Sequence, residues 1–305
     1  MSAAIAIDVG GTSMKSGLVD AAGRVLSHTS TPTPGSVPAL LEEVAALVAR
    51  HEREALGLGL GGSLPVGLVV PGIVDDMAGI AVHSANLHWD DVHMRDLASA
   101  RLGRPVTFGH DVRAGALGEM RLGGHARSMV YVAVGTGIAA VIVLDGVPLV
   151  SGGWAGEIGQ QLVIDPNSTR RVALEQVASA GAIASRYAQA SGREVAGSRE
   201  VFEAATAGDS AAARVIDTAL EYLAESLADL SCALGPLPIV IGGGLAKAGE
   251  PMVSVLRDKV AELLDVTPMP TITTATLGAS SQIIGAALAA LDAAGTQVPD
   301  AQEAS

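Results

Sequence analysis

The sequence predicts an α/β protein of two domains, each opening on a three-strand meander, and three observations carry that expectation. Apolar runs at "AIAIDV" (4–9), "MKSGLV" (14–19) and "VLSHTS" (25–30) are separated by Gly-Gly-Thr and Asp-Ala-Ala-Gly turns, the pattern of an antiparallel meander. The same succession of strand, Gly/Thr turn, strand, Asp-x-Gly turn and strand returns in "VYVAVGTGIAAVIVLDGVPLVS" (130–151) and can be laid over residues 5–27, an internal repeat of supersecondary structure. After each meander the chain alternates between helical and strand periodicity.

In the first half, "SVPALLEEVAALVARHEREA" (36–55) spaces Val37, Leu40, Leu41, Val44, Leu47 and Val48 as one helix face behind Ser36 as a cap. A strand at "VGLVVPG", a turn at "DDMAG", a helix near 94–102 and a short strand ending at "TF" (107–108) follow. In the second half, helices are expected at 171–191 and 210–233, a strand at "PIVIGGG", a helix from Leu245, a strand at "TITTATL" and an Ala-rich last helix from about Ser280. The domain division is placed near Gly109. This gives an N-terminal α/β domain over 1–109, joined by the C-terminal helix 280–295, and a C-terminal α/β domain over 110–279. Residues 296–305 have no periodicity and read as a disordered tail.

With 305 residues, 49 % of them hydrophobic, the chain can bury two ordinary cores. A formal net charge of −13 with only 19 Lys and Arg argues against a nucleic-acid footprint or a basic membrane-surface patch, and a small molecule is the expected partner. The start "MSAAIAIDVGG" has no basic n-region and puts Asp8 where a signal peptide needs its apolar centre, and no window holds an uninterrupted membrane-length apolar run. The single cysteine, Cys232, rules out an internal disulfide and fits a reducing compartment. A cytoplasmic protein is expected.

The two glycine-rich turns carry the chemistry. Facing one another, they would form a phosphate clamp of backbone N–H groups. In "DVGGTSMK", Gly10 and Gly11 let the backbone approach an anion, Thr12 adds a hydroxyl, Lys15 adds charge, and Asp8 suits a hydrated magnesium ion. Gly135, Thr136 and Gly137 repeat that composition. A third cluster, Gly242, Gly243 and Gly244 in "IVIGGGLAKAG", runs from a buried strand into a helix, where a nucleotide can lie against backbone. Each turn alone also fits an ordinary hairpin or a tight strand-to-helix turn; the repetition favours phosphate. Gly57, Gly59 and Gly62 spell GxGxxG but follow a helix and precede a strand, the wrong order for a dinucleotide site, so that stretch is expected to be a loop. Asp111, in "TFGHDVRAGALGE", sits where a strand gives way to a helix. Its carboxylate fits either a helix cap or a general base.

Taken in order, "DVGGTSMK", "PG" (71–72), "NLHW" (86–89), "HDVRAGALGE", "GTGI", "GEIGQ" (156–160), "LEQVASAGAI" (174–183), "IGGGLA" and "LGASSQIIGAA" resemble the ROK sugar kinases and regulators nearly end to end. The resemblance implies a two-domain actin-like (ribonuclease H-like) ATPase fold with a duplicated three-strand meander, closing over ATP, Mg2+ and a sugar. On that pattern Asp111 matches the catalytic base that takes the proton from a sugar hydroxyl. Gly72, Asn86 and Glu157 match positions that line the sugar, and Glu175 matches the glutamate of the "LE" segment. A homodimer is expected by resemblance alone.

The departures are specific. His110 stands where the family usually has Asn, and Gln160 where it usually has His, so both are candidate substrate-binding positions that differ from the pattern. Between Gln160 and Glu175 the family usually carries a cysteine-rich zinc motif, whereas "QQLVIDPNSTRRVALE" contains neither Cys nor His, so no zinc site is expected. Ala139 and Ala140 replace glycines after the second turn. His110 is also a possible structural residue, and Trp89 either a sugar platform or a core side chain. His83, His88 and His93 are expected to be surface residues of a loop. The leading expectation is an ATP-dependent hexose or N-acetylhexosamine kinase. The alternative is a catalytically silent sugar sensor of the same fold, with no DNA-binding segment because the meander begins at Ala4 where regulators of the family carry a helix-turn-helix ahead of it.

Overall fold

A computed structural model describes residues 2–85 and 87–296. The chain divides into two units, Met1–His125 with Val150–Trp154 and Ser280–Ser305, and Ala126–Leu149 with Ala155–Ala279.

In the first unit the meander is β1 (Ala3–Val9), β2 (Ser13–Asp20) and β3 (Val25–Pro32), antiparallel throughout. Helix α1 (Val37–Gly57) follows, with the Ser36 side chain accepting from the Ala39 N–H. Its Leu40, Val44, Leu47 and Val48 are buried against Ile5, Ile7, Leu18 and Leu68, at about 1.5–3 kcal/mol for each large side chain taken from water. Strand β4 (Val66–Val70) then pairs parallel with β1. A small antiparallel sheet of β5 (Ile73–Asp75), β6 (Ile80–Ser84) and β7 (Trp89–Val92) occupies the stretch expected to be a turn and a loop. Helix α2 (Met94–Leu102), strand β8 (Thr107–His110) and helix α3 (Asp111–Leu122) complete this part of the chain. The main sheet has the order β3-β2-β1-β4-β8, β8 being parallel to β4.

The expected division near Gly109 moves to the far end of α3, because the last helix, Ser281–Ala293, holds α3 in the first unit. A Cβ at Gly285 would collide with Ala114 O, and one at Gly67 with Ala286 O, so glycine lets the backbone of this helix rest on both α3 and β4. Fully buried Glu119 accepts from the Ser281 hydroxyl (2.7 Å) and lies 3.2 Å from His125 Nε2. Arg121 closes the pair with Asp292 (2.6 Å).

The second unit repeats the plan. Strands β9 (Met129–Val134), β10 (Ile138–Leu144) and β11 (Val147–Pro148) form its meander, the third strand being only two residues long. Residues 171–173, expected to open a helix, are instead the second arm of a hairpin, β12 (Leu162–Ile164) and β13 (Arg171–Ala173). Then come α4 (Glu175–Ala178), α5 (Ala180–Ser191), α6 (Ser198–Thr206), which has no counterpart among the expected elements, and α7 (Ser210–Leu234). Strand β14 (Ile239–Gly242), helix α8 (Gly249–Leu263) and strand β15 (Ile272–Thr274) close it. The sheet order β11-β10-β9-β14-β15, with β14 parallel to β9 and β15, matches the first sheet strand for strand. Among the described residues, no helix is long and apolar enough to cross a membrane.

Candidate functional site

The first turn is built as a fixed loop with outward donors. The Gly10 N–H donates to Ser13 O (3.0 Å), the Thr33 hydroxyl to Gly10 O (2.7 Å) and the Thr33 N–H to Thr12 O (3.1 Å). The N–H groups of Gly11 and Thr12 have no partner among the described residues, and both residues are exposed. An anion is the natural acceptor for such a pair. Asp8 lies at the end of β1 opposite Lys15 of β2. Burial pushes the Asp8 carboxyl up to about 6, against the pull of the Lys15 charge. Among the described residues that carboxylate makes no hydrogen bond, and no group of three or more His, Cys, Asp or Glu comes together to hold a metal. One unbonded carboxylate suits a magnesium ion held through its waters, which needs few protein ligands.

The second turn repeats the construction. The Gly135 N–H donates to Gly137 O (2.9 Å), the Ala180 N–H at the start of α5 to Gly135 O (2.8 Å), and the N–H groups of Thr136 and Gly137 have no partners among the described residues. Gly243 takes φ 77, and a Cβ there would lie 2.6 Å from Val134 O, so the third glycine cluster passes the end of β9 at contact distance.

Asp111 is the first residue of α3, at the carboxyl end of a parallel strand, where open α/β sheets place their ligands. Its Oδ1 accepts from the Val112 N–H (2.7 Å) and lies 3.3 Å from His110 Nε2. His110, the residue preceding the helix, is buried. Burial, then the Arg113 charge, push its imidazole down to about 3, so the ring is neutral at physiological pH. Its Nδ1 is buried without a partner, which puts the ring proton on Nε2, facing the carboxylate. Behind the pair stands Asp76, whose Oδ1 accepts from the His110 N–H (3.1 Å) and from Arg113 Nη2 (3.1 Å), and whose Oδ2 accepts from Arg113 Nε (2.8 Å). Arg113 Nη2 also donates to Val74 O (2.7 Å). Sequence reasoning passed over Asp76 and Arg113. They lie 37 positions apart, Asp76 in the "DDMAG" turn and Arg113 inside "HDVRAGALGE", and nothing local pairs them.

In the second unit Gln160 Nε2 donates to Glu175 Oε1 (2.8 Å), and the Ile138 N–H to Oε2 (3.4 Å). A Cβ on Gly137 would lie 2.8 Å from Oε2, so the missing side chain lets this carboxylate sit against the second phosphate turn. The "GEIGQ" loop presses on β10: Gly156 takes φ 91, a Cβ there would collide with Ala140 O, and the Ala140 N–H donates to Gly156 O (2.7 Å). Glu157 is half-buried on that loop. The 165–170 turn of the β12–β13 hairpin closes on itself. Asp165 Oδ1 accepts from the Asn167 N–H (2.9 Å), Oδ2 from the Ser168 hydroxyl (2.9 Å), and the Asp165 N–H donates to Arg170 O (2.8 Å).

Gly72, at φ 104, is a position that only glycine tolerates, since a Cβ would collide with His83 O. Trp89 is in the core of the first unit. His83, His88 and His93 are exposed, His83 bonding Asp90 (2.8 Å). Asn86 and residues 297–305 lie outside the described residues.

Two meander-led α/β units in one sheet order, each with a turn of unpartnered N–H groups, define the class as an actin-like ATPase fold. Residues 4–293 match the ROK family, and the chain belongs to it. Over 312 residues it is 31 % identical to a glucokinase of Halalkalibacterium halodurans, with 92 % of each chain covered. A ROK hexokinase from Thermus thermophilus superposes with a TM-score of 0.78 at 31 % identity, over 96 % of this chain and 99 % of that one. A ROK family glucokinase from Streptomyces griseus, solved with glucose and AMPPNP, gives a TM-score of 0.79 at 27 % identity, over 94 % and 98 %.

Proposed function

We propose that the chain is a ROK-type sugar kinase, moving the γ-phosphate of ATP to a hydroxyl of a hexose or N-acetylhexosamine, with Asp111 as general base. The observation that carries this reading is the setting of Asp111. Its carboxylate stands at a strand end, held by the Val112 N–H, beside an imidazole that burial keeps neutral. A neutral imidazole does not compete electrostatically for the acceptor proton, as an imidazolium would. The N–H groups of Gly11 and Thr12, with Lys15, in the first unit and those of Thr136 and Gly137 in the second are the candidate contacts of the donor phosphates. The nucleoside end lies against Gly242, Gly243 and Gly244. Magnesium, when bound, offsets the charge on the transferring phosphoryl group, and Asp8 holds its waters. By the family pattern, Gly72, Asn86, Glu157, Gln160 and Glu175 are the candidate sugar contacts. His110 acts by orienting Asp111.

The test is ADP release with ATP and magnesium across hexoses, N-acetylhexosamines and pentoses, for the native protein and for Asp111→Asn. The substitution should keep fold and nucleotide affinity and lower turnover by roughly 10²- to 10⁴-fold. Near-normal turnover in the variant would return Asp111 to a helix-start role. Sugar binding with no ADP release from any sugar would favour the silent sensor.

A further inference from the structure

We propose that the second unit carries a subsite for a polyhydroxylated substituent on the acceptor sugar, so that a disaccharide is a substrate alongside the free monosaccharide. The inference rests on the reading of Glu175 as a sugar-lining residue. A cavity of about 500 Å³ lies between the 165–170 turn of the β12–β13 hairpin and α5, with Glu175 and Thr136 on its wall. That volume falls within the range of small-molecule sites.

Its chemistry selects the ligand class. Thr136, Asn167, Gln176, Ser185 and Gln189 contribute hydroxyl and carboxamide side chains, which make no side-chain hydrogen bond among the described residues. Arg186 is held by donating from Nη1 to Val177 O (3.0 Å), and its Nε is buried with no partner. The guanidinium is the one cationic donor on the cavity wall, and a ligand hydroxyl oxygen is an acceptor it can use. An anion fits poorly, since Asp165 and Glu175 oppose the single Arg186 charge. The nucleoside fits poorly as well, because none of Gly242, Gly243 and Gly244 lines the cavity. What remains is a surface of neutral donors and acceptors with one guanidinium and two carboxylates, all able to hydrogen-bond hydroxyls, and Pro166 and Val172 for the C–H face of a ring. Its outer wall is rigid because Asp165 spends both carboxylate oxygens inside the turn.

The experiment measures binding by calorimetry, and phosphorylation by ADP release, for maltose, cellobiose and the best monosaccharide acceptor. It uses the native chain, Arg186→Ala and Gln189→Ala. Gln189 is exposed and unbonded, so its truncation leaves folding intact. At least one disaccharide should bind and accept phosphate. Each substitution should weaken it by about five- to tenfold or more, as for loss of one hydrogen bond to a ligand, with the monosaccharide unchanged within about twofold. Disaccharides that neither bind nor compete, or that bind the variants as tightly as the native chain, would overturn the subsite while leaving the kinase reading intact. Arg186-dependent disaccharide binding without phosphorylation of any sugar would keep the subsite and overturn the kinase.

Discussion

Asp8→Asn should make the protein more stable at neutral pH while destroying its activity. Burial raises the Asp8 carboxyl from 3.8 to about 6 even with Lys15 alongside. A raised carboxyl contributes stability that is fully present below the unfolded value near 3.8 and is lost as pH rises through about 6. At about 1.4 kcal/mol per tenfold change in proton affinity, holding this carboxylate ionised in the folded chain costs about 3 kcal/mol above pH 6. Asparagine keeps the shape without the charge. Urea unfolding of the variant should therefore show a gain of about 2–3 kcal/mol at pH 7.5, shrinking toward zero near pH 4. Turnover with magnesium-ATP should fall sharply in the same variant, because the charge that is costly to bury is the one that holds the hydrated ion. The native enzyme should lose kcat/KM as pH drops through about 6. A variant less stable than the native chain at pH 7.5, or a gain of equal size at pH 4 and pH 7.5, would refute this account of Asp8.

Asp76→Asn should lower turnover by roughly ten- to a hundredfold with a much smaller change in sugar KM, since it loosens the junction that presents Asp111 without touching substrate; steady-state kinetics within about twofold of native would show that the clamp does not position the base. Excess chelator should abolish turnover and magnesium should restore it, while elemental analysis of the purified protein should find no stoichiometric zinc, because the 160–175 stretch offers neither thiol nor imidazole. Gln160→His should move the ratio of kcat/KM values toward glucose relative to the best other sugar, and should add an acid limb near the imidazole range of about 6.5 that the native pH profile lacks. Glucose as the preferred native substrate, or an unmoved ratio, would refute Gln160 as a specificity determinant.

The sequence by itself determined the duplicated meander, because strand alternation and glycine turns are local and repeat from 5–27 to 130–151. It also determined the long amphipathic helix α1, its Ser36 cap and the location of both glycine turns. What it missed follows one pattern. The 73–92 sheet and the 162–173 hairpin are built from strands of three to five residues, too short for periodicity to distinguish from loop. The domain boundary was misplaced because α3 follows β8 directly, and nothing local says that Gly285, some 170 residues later, will lie on Ala114.

The site divides the same way. Motif order found Asp111, Gln160 and Glu175 as residue types at positions. Tertiary structure alone decided that Gln160 donates to Glu175, that Gly137 is glycine to admit that carboxylate, and that His110 is neutral behind Asp111. It alone brought Asp76 and Arg113 together across 37 positions. The physical reason is that turn propensity and hydrophobic periodicity are properties of neighbouring residues. Desolvation and hydrogen-bond partnership depend on which distant segments close over a group, and that is fixed only when the chain is packed.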